Sequence, residues 1–274
     1  MVAISPSSID QTENPLKWIR QHLHSNYGIY FPEEKLYSLR SKLKRRCREL
    51  GLNSIQEYAQ HLAGDPDEIP YFLDTITTNK TYFFREDVHW QFLEKQLHNS
   101  GIPGDGEIRV WSAACSSGEE AYSAAMVLDN HGSSRPFRIL ATDVSEKIIR
   151  VGARGIYPKA DLEPLREYNP RLKSLYFEPH SGRTVRLRKK LRSKVFFRQF
   201  NLKFCTNPFE RSFDVILLRN VLIYFDQEMI QSVISHCEEL LAEDGYLIIG
   251  VTENLHNIQH GLIKVQPSIF RKDS

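Results

Sequence analysis

The chain has 274 residues, of which 41% are hydrophobic, 11% aromatic and 26% charged, with 36 Lys and Arg against 34 Asp and Glu. That length allows one large domain or two smaller ones, and the balance excludes disordered, collagenous and disulfide-scaffold classes. A formal charge of +2 names no partner, so what counts is where the charge sits.

The opening Met-Val-Ala-Ile-Ser-Pro-Ser-Ser has neither a cationic n-region nor an apolar h-region, so a secretory leader is not expected. Residues 1 to about 11 read as a frayed tail. From Pro15 to Ile76 the pattern is helical. Leu16, Ile19 and Leu23 share one face, as do Leu36, Leu39, Leu43 and Leu50. A further helix starts at Asn53-Ser54, carries Ile55, Tyr58, Ala59 and Leu62, and stops at Gly64 before Asp65-Pro66. No strand pattern interrupts this quarter, and an all-α domain is expected over residues 12–78. Its second helix holds Arg40, Lys42, Lys44, Arg45, Arg46 and Arg48. This basic run suits an acidic protein helix or is a solvated face. Nucleic-acid phosphates are the competing partner, but no zinc-finger or stacking motif supports them.

After Arg85 the pattern changes. A helix over Asp87–His98 leads to a turn at 101–106, and short apolar runs then alternate with helical segments. Strands are expected at Ile108–Ala113, Phe137–Ala141, Val195–Phe200, Phe213–Leu218 and Tyr246–Val251, with helices at Glu119–Leu128, Ser145–Ala153 and Gln227–Leu241. This alternation predicts an α/β domain over residues 79–274 with a doubly wound, mainly parallel sheet. The loop before Ile263–Phe270 is too short for a crossover, so an antiparallel strand is expected at that edge. Residues 157–194 break the rhythm and read as an inserted β subdomain with a hairpin around His180–Arg183. Arg183, Arg186, Arg188, Lys189, Lys190, Arg192 and Lys194 make it basic, as a partner surface or a solvated loop. Cys47, Cys115, Cys205 and Cys237 lack metal-ligand spacing, so free thiols in a reducing cytoplasm and no metal site are expected. No apolar run approaches the ~20 residues of a membrane span.

Open parallel sheets bind ligands beyond the carboxyl ends of their strands. The first strand runs into Ser112-Ala-Ala-Cys-Ser-Ser-Gly-Glu-Glu120, a turn of small residues. Glu119 and Glu120 open the next helix and would repel a pyrophosphate. There is also no phosphate-loop Lys and no Gly-x-Gly-x-x-Gly. A cofactor with adenosine and a cationic, phosphate-free arm fits better, which points to S-adenosylmethionine. The second strand ends at Asp143, which accepts from both ribose hydroxyls, unless Asp143 or Ser145 simply caps the next helix. After the third strand, Asn201 is placed for an adenine edge or simply forms a turn, and Leu202 for the adenine face. Arg219 and Asn220 follow the fourth strand between two apolar runs and are hard to explain as core. The Asp/Asn-Pro-Pro-Tyr-like turn of amine methyltransferases is missing there. At the seam of the two domains, Thr77 to Glu86 reads as a lid whose Arg85 can grip a carboxylate through two parallel hydrogen bonds. Tyr82, Phe83 and Phe84 read as packing, and His89 and His236 as surface or satisfied core.

In order along the chain stand Thr78-Asn-Lys-Thr-Tyr-Phe-Phe-Arg85-Glu86, Arg109-Val-Trp-Ser-Ala-Ala-Cys-Ser-Ser-Gly-Glu-Glu120-Ala-Tyr-Ser, Ala141-Thr-Asp143 and Gly155-Ile-Tyr157. They are followed by Arg219-Asn220-Val-Leu-Ile-Tyr224-Phe225-Asp226, Asp244-Gly245-Tyr-Leu and Thr252-Glu-Asn254. This series strongly resembles the chemotaxis-receptor glutamate methyltransferases, the CheR family. The resemblance implies a helical domain followed by a Rossmann-like class I methyltransferase domain with an inserted β subdomain. It implies S-adenosylmethionine held by Asn79, Thr81, Arg85, Glu119, Asp143, Asn201, Leu202, Arg219 and Asn220, with Arg85 and Tyr224 flanking the reacting centre. The implied reaction methylates glutamate carboxylates on the cytoplasmic helices of a chemoreceptor, bound by a monomeric enzyme through the basic helix and the inserted subdomain. The hairpin at Ser181-Gly182-Arg183 looks shorter than in members that dock on a receptor's C-terminal peptide, so binding without a tether is equally implied. Cys115 stands where Ala or Ser is usual. A glutamate carboxylate, with pKa ~4.3, is already ionised at neutral pH and needs no general base. The alternatives are a catalytically silent cofactor-binding signalling module and a methyltransferase acting on RNA or another protein.

Overall fold

The N-terminal unit is built from α1 (Pro15–Tyr27), α2 (Leu36–Leu50), α3 (Ile55–Gly64) and α4 (Ile69–Ile76) in a computed structural model. The structure describes residues 14–77, 80–99, 101–104, 106–131, 135–204 and 212–273; Thr78, Asn79 and Cys205 lie outside them. Local chemistry sets the helix ends. The Asn14 side chain accepts from the Leu16 and Lys17 amides to start α1, and Ser54 accepts from the Glu57 amide to start α3. The apolar stripes close on one core containing Trp18, Ile19, Leu23, Leu39, Leu43, Tyr58 and Phe72.

Two members of the basic run on α2 serve this core rather than a partner. Arg46 donates to both oxygens of the buried Glu68 at 2.9 and 2.7 Å, while the Tyr58 hydroxyl donates to the same carboxylate at 2.8 Å. Lys42 donates to the Ile76 carbonyl at 2.5 Å. The exposed basic face therefore consists of Arg40, Lys44, Arg45 and Arg48, narrower than the sequence suggests.

Helix α5 (Asp87–His98) leads into the second unit. There β1 (Ile108–Ala113), α6 (Glu119–Asn130), β2 (Phe137–Asp143) and α7 (Glu146–Arg154) form the first wound half. A small antiparallel sheet follows, from β3 (Ile156–Pro158), β4 (Phe177–Pro179) and β5 (Thr184–Leu187) in the order β3-β5-β4. The helices α8 (Glu163–Tyr168), α9 (Arg171–Tyr176) and α10 (Lys189–Arg192) lie along this stretch. The main sheet resumes with β6 (Val195–Gln199), β7 (Phe213–Leu218), α11 (Gln227–Leu240), β8 (Leu241–Ile249), β9 (Ile263–Gln266) and β10 (Ile269–Arg271).

Its seven strands run in the order β6-β2-β1-β7-β8-β10-β9. Strands β6, β2, β1, β7 and β8 are parallel, in registers such as Val110↔Ile139 and Val110↔Val215. Chain order reverses between β1 and β7, which puts the topological switch at their carboxyl ends. The expected antiparallel edge strand takes a different form. Ile263–Phe270 is a hairpin across Pro267 and Ser268, and the reversed strand β10 sits between β8 and the outermost β9. Among the described residues no helix is long and apolar enough to cross a membrane.

Candidate active site

A cavity of about 440 Å3 opens over this switch point. The helical unit supplies Tyr27, Ile29 and Thr77 to its wall, the connecting segment supplies Lys80, Thr81, Tyr82 and Arg85, and the sheet supplies the rest. The two units are pinned where they meet. Backbone carbonyls at the end of α1 accept from side chains of the sheet unit: His24 O from Lys203 Nζ at 3.0 Å, and Asn26 O from Asn201 Nδ2 at 2.7 Å. The Tyr30 amide donates to the Tyr224 carbonyl at 2.8 Å. His24 Nε2 lies 2.7 Å from Asp226 Oδ2, while Asp226 Oδ1 caps α11 through the Met229 amide. Gly28, at φ +69°, ends α1 directly under Met229, where a β-carbon would fall 2.8 Å from the thioether.

The loop after β1 holds Ala114 and Ser116 at φ 64° and 49°, values uncommon outside glycine. Asp143 steadies it, since Oδ2 accepts from the Ser116 amide at 2.9 Å while Oδ1 accepts from the Ser145 amide at 3.0 Å. Burial pushes the Asp143 carboxyl above the ordinary aspartate value despite these donors. Asp143 faces the cavity and steadies the turn before α7, while the cap of α7 is Ser145, whose hydroxyl accepts from the Ile148 amide. Burial likewise pushes up the thiol of Cys115, which lines the cavity. Cys47, Cys115 and Cys237 are buried and unbridged.

Arg219 is only 4% exposed, so the side chain judged unfit for a core is buried in an ion network. Its Nη1 donates to Glu120 Oε2 at 3.0 Å, and Nη2 donates to Glu86 Oε2 at 3.2 Å and to the Arg85 carbonyl. The guanidinium lies 5.1 Å from the centre of the Trp90 ring. Trp90 Nε1 also donates to the Arg85 carbonyl, at 3.0 Å, so the backbone at Arg85 is gripped twice. Asn220 Nδ2 donates to Glu86 Oε1 at 3.1 Å. Burial alone would raise the Glu86 carboxyl; the Asn220 amide and the Arg219 guanidinium outweigh it and hold Glu86 below the ordinary glutamate value. His89 is fully buried, with Nε2 2.7 Å from Ser268 Oγ. Burial first, and the Arg219 charge second, lower it to about 4, so it is neutral at pH 7.

Of the residues singled out in the sequence, Thr81, Arg85, Asp143, Asn201, Leu202, Arg219, Asn220 and Tyr224 all line this one cavity. Asn79 falls outside the described residues. Glu119 is buried but off the wall, accepting from the Ser117 hydroxyl at 2.6 Å; its neighbour Glu120 lines the cavity instead. Successive helix residues point about 100° apart, so only one of the pair can face inward. Asn201 spends its amide on Asn26 and accepts from the Lys203 amide at 3.0 Å, which makes it a turn and seam residue as well as a wall. Tyr82, read as packing, is 41% exposed on the cavity rim, whereas Phe83 and Phe84 are core. Sequence reasoning missed Glu86 and Glu253. Both stand inside quoted motifs, but spacing gives no sign that they brace the loop after β7.

The family model described as CheR methyltransferase, all-alpha domain, matches residues 14–77, and CheR methyltransferase, SAM binding domain, matches residues 79–270. The chain belongs to the CheR methyltransferase family. It is 32% identical to the chemotaxis protein methyltransferase of Borreliella burgdorferi, over 97% of this chain and 96% of that one. It is 34% identical to the one from Escherichia coli, over 88% and 84%, and 37% identical to the one from Listeria monocytogenes, over 73% and 75%. S-adenosylmethionine is the cofactor of this CheR-family chain, and the cavity fits it. The volume falls in the usual ligand range of about 300–1,000 Å3. The wall carries Glu120 and Asp143, with no lysine at the α6 N-terminus to hold a phosphate. Arg219 Nε is buried without a hydrogen-bond partner among the described residues.

Proposed function

We propose that this chain methylates glutamate side-chain carboxylates on the cytoplasmic helices of a chemoreceptor, forming γ-glutamyl methyl esters. One observation carries the reading: Arg85 presents a part-exposed guanidinium to the cavity, and no histidine lines that wall among the described residues. When bound, S-adenosylmethionine supplies an electrophilic methyl group on a sulfonium. The protein's task is then to hold an already ionised carboxylate in line and to keep water out, with no proton to remove. Arg85 suits the first duty. Its side chain is 32% exposed, its Nη1 donates to the Lys80 carbonyl at 3.2 Å, and the Arg85 carbonyl is pinned from behind. A guanidinium cannot act as a base at this pH, so it orients rather than activates. Tyr224 stands on the same wall and adds a second contact for the acceptor. Asp143 would hold the ribose, with Asn201 and Leu202 at the adenine. The exposed Arg40, Lys44, Arg45 and Arg48 of α2 supply a basic face for acidic receptor helices.

The deciding assay is transfer of a labelled methyl group to receptor fragments, with the label released by base as methanol. An ester gives volatile methanol; label that survives base overturns the reading. In single-turnover experiments Arg85→Ala should lower the rate by at least about 100-fold, in keeping with lost orientation of a charged acceptor. An unchanged rate removes Arg85 from the reacting centre. Reversing Arg45 and Arg48, rather than the structural Arg46, tests the receptor face.

A further inference from the structure

Glu253 lies outside the cavity wall, yet it holds the loop that forms one side of it. The residue is 8% exposed, and its carboxylate gathers backbone donors from two segments, 220–222 and Gly250. Oε2 accepts from the Asn220 amide at 2.8 Å and from the Gly250 amide at 2.7 Å, and Oε1 accepts from the Leu222 amide at 2.8 Å. Asn220 is held at φ 57°, in the left-handed region that few residues other than glycine, asparagine and aspartate adopt. The packing around the carboxylate leaves no slack. A β-carbon on Gly250 would lie 2.6 Å from Asn220 Nδ2 and 2.7 Å from Glu253 Oε2. On its other side Asn220 is tied to Glu86, so the loop is stretched between two carboxylates that belong to different elements.

We propose that Glu253 is a positioning residue for the cofactor: by collecting the amides of Asn220, Leu222 and Gly250, it fixes the left-handed turn that presents Arg219 and Asn220 to the cavity. A carboxylate is the side chain this geometry demands, because both its oxygens must accept. A glutamine in the same place keeps one acceptor and turns an NH2 group toward a backbone N–H. One amide is then left buried and unpaired, or the turn relaxes. The inference rests on the cofactor occupying this cavity and not on which acceptor is methylated.

Calorimetric titration of the full chain with S-adenosylhomocysteine tests it without any acceptor, so the result stands apart from the fate of the carboxylate-methylation reading. Folded Glu253→Gln should bind at least about tenfold more weakly than the parent, and Glu253→Asp, which keeps the charge but shortens the reach, about threefold more weakly. With receptor fragments, the KM for S-adenosylmethionine should rise in step while kcat at saturating cofactor stays within about threefold. Glu253→Gln that melts earlier but binds S-adenosylhomocysteine like the parent would make the residue a stability element only and overturn the proposal. Should Glu253→Gln fail to fold, parental affinity in Glu253→Asp would overturn it equally.

Discussion

The loops that meet over the sheet's switch point, residues 114–118 after β1 and 219–222 after β7, reach the same end by different arrangements. Both place non-glycine residues at positive φ, Ala114 and Ser116 in one and Asn220 in the other. Each is held by a carboxylate from a neighbouring strand end, Asp143 as the last residue of β2 and Glu253 just after β8. The difference lies in where that carboxylate looks. Asp143 faces the cavity while it braces its loop, whereas Glu253 braces from behind and leaves the wall to Arg219 and Asn220. Bracing a loop and lining the cavity are therefore merged on one side and divided on the other. The divided side also carries a buried guanidinium shared by Glu86 and Glu120.

Removing that guanidinium should do the most damage. Arg219→Met leaves the buried Glu120 and the part-buried Glu86 without their cation and should cost about 3–5 kcal/mol in urea unfolding; a loss under about 1 kcal/mol would mean that the network is dispensable. On the merged side, Asp143→Ala should weaken S-adenosylhomocysteine binding by about 30–100-fold, or about 2–3 kcal/mol. It should also loosen the Ala114–Ser116 turn, seen as faster amide exchange there; weaker binding with a rigid turn would show the two duties to be separable. Acid should act through the divided side. The folded protein keeps His89 neutral down to about 4, whereas the unfolded chain titrates near 6.5, so the unfolded state takes up the proton first. Stability is therefore full above pH 6.5 and falls as pH drops toward 4. Melting curves of His89→Gln should show a flatter slope across that window, and an unaltered slope would exclude His89 as its source. Away from both loops, Asp226→Ala removes the α11 cap and should cost about 1 kcal/mol. The smallest effect is expected for Ala114→Gly, where relief of the left-handed backbone and added chain entropy offset each other to within about 1 kcal/mol in the same unfolding assay.

Much of the scaffold was legible because its signals are local. Ile108–Ala113 and Phe213–Leu218 are apolar runs bounded by polar or small residues, and both are strands with those bounds. In sequence, Ile263–Phe270 looks like one strand, because the pieces Ile263–Gln266 and Ile269–Arg271, of four and three residues, carry too little alternation to reveal the turn between them. Within the site, strand ends named the neighbourhood, and eight of the residues singled out line one cavity. What stayed hidden depends on tertiary partners. Arg46 looks like any other cation of α2 until Glu68 and Tyr58 arrive from other segments. Glu119 and Glu120 are equivalent until the position of α6 decides which faces inward, and Tyr82 sits among packing aromatics in sequence but on a rim in space.

The joint between the helical unit and the sheet has an asymmetry that matters for building hybrids. Helix α1 offers Lys203 and Asn201 only main-chain oxygens, those of His24 and Asn26, while the sheet unit commits side chains. Backbone atoms are the same whatever residue carries them, so these two latches tolerate divergence at the end of α1, whereas the third, His24 Nε2 against Asp226 Oδ2, depends on the side chain. A helical unit transplanted from a distant relative should seat correctly so long as the recipient keeps Asn201, Lys203 and Asp226 and the donor carries a histidine at the place of His24 and ends its helix with a glycine small enough to sit beneath Met229.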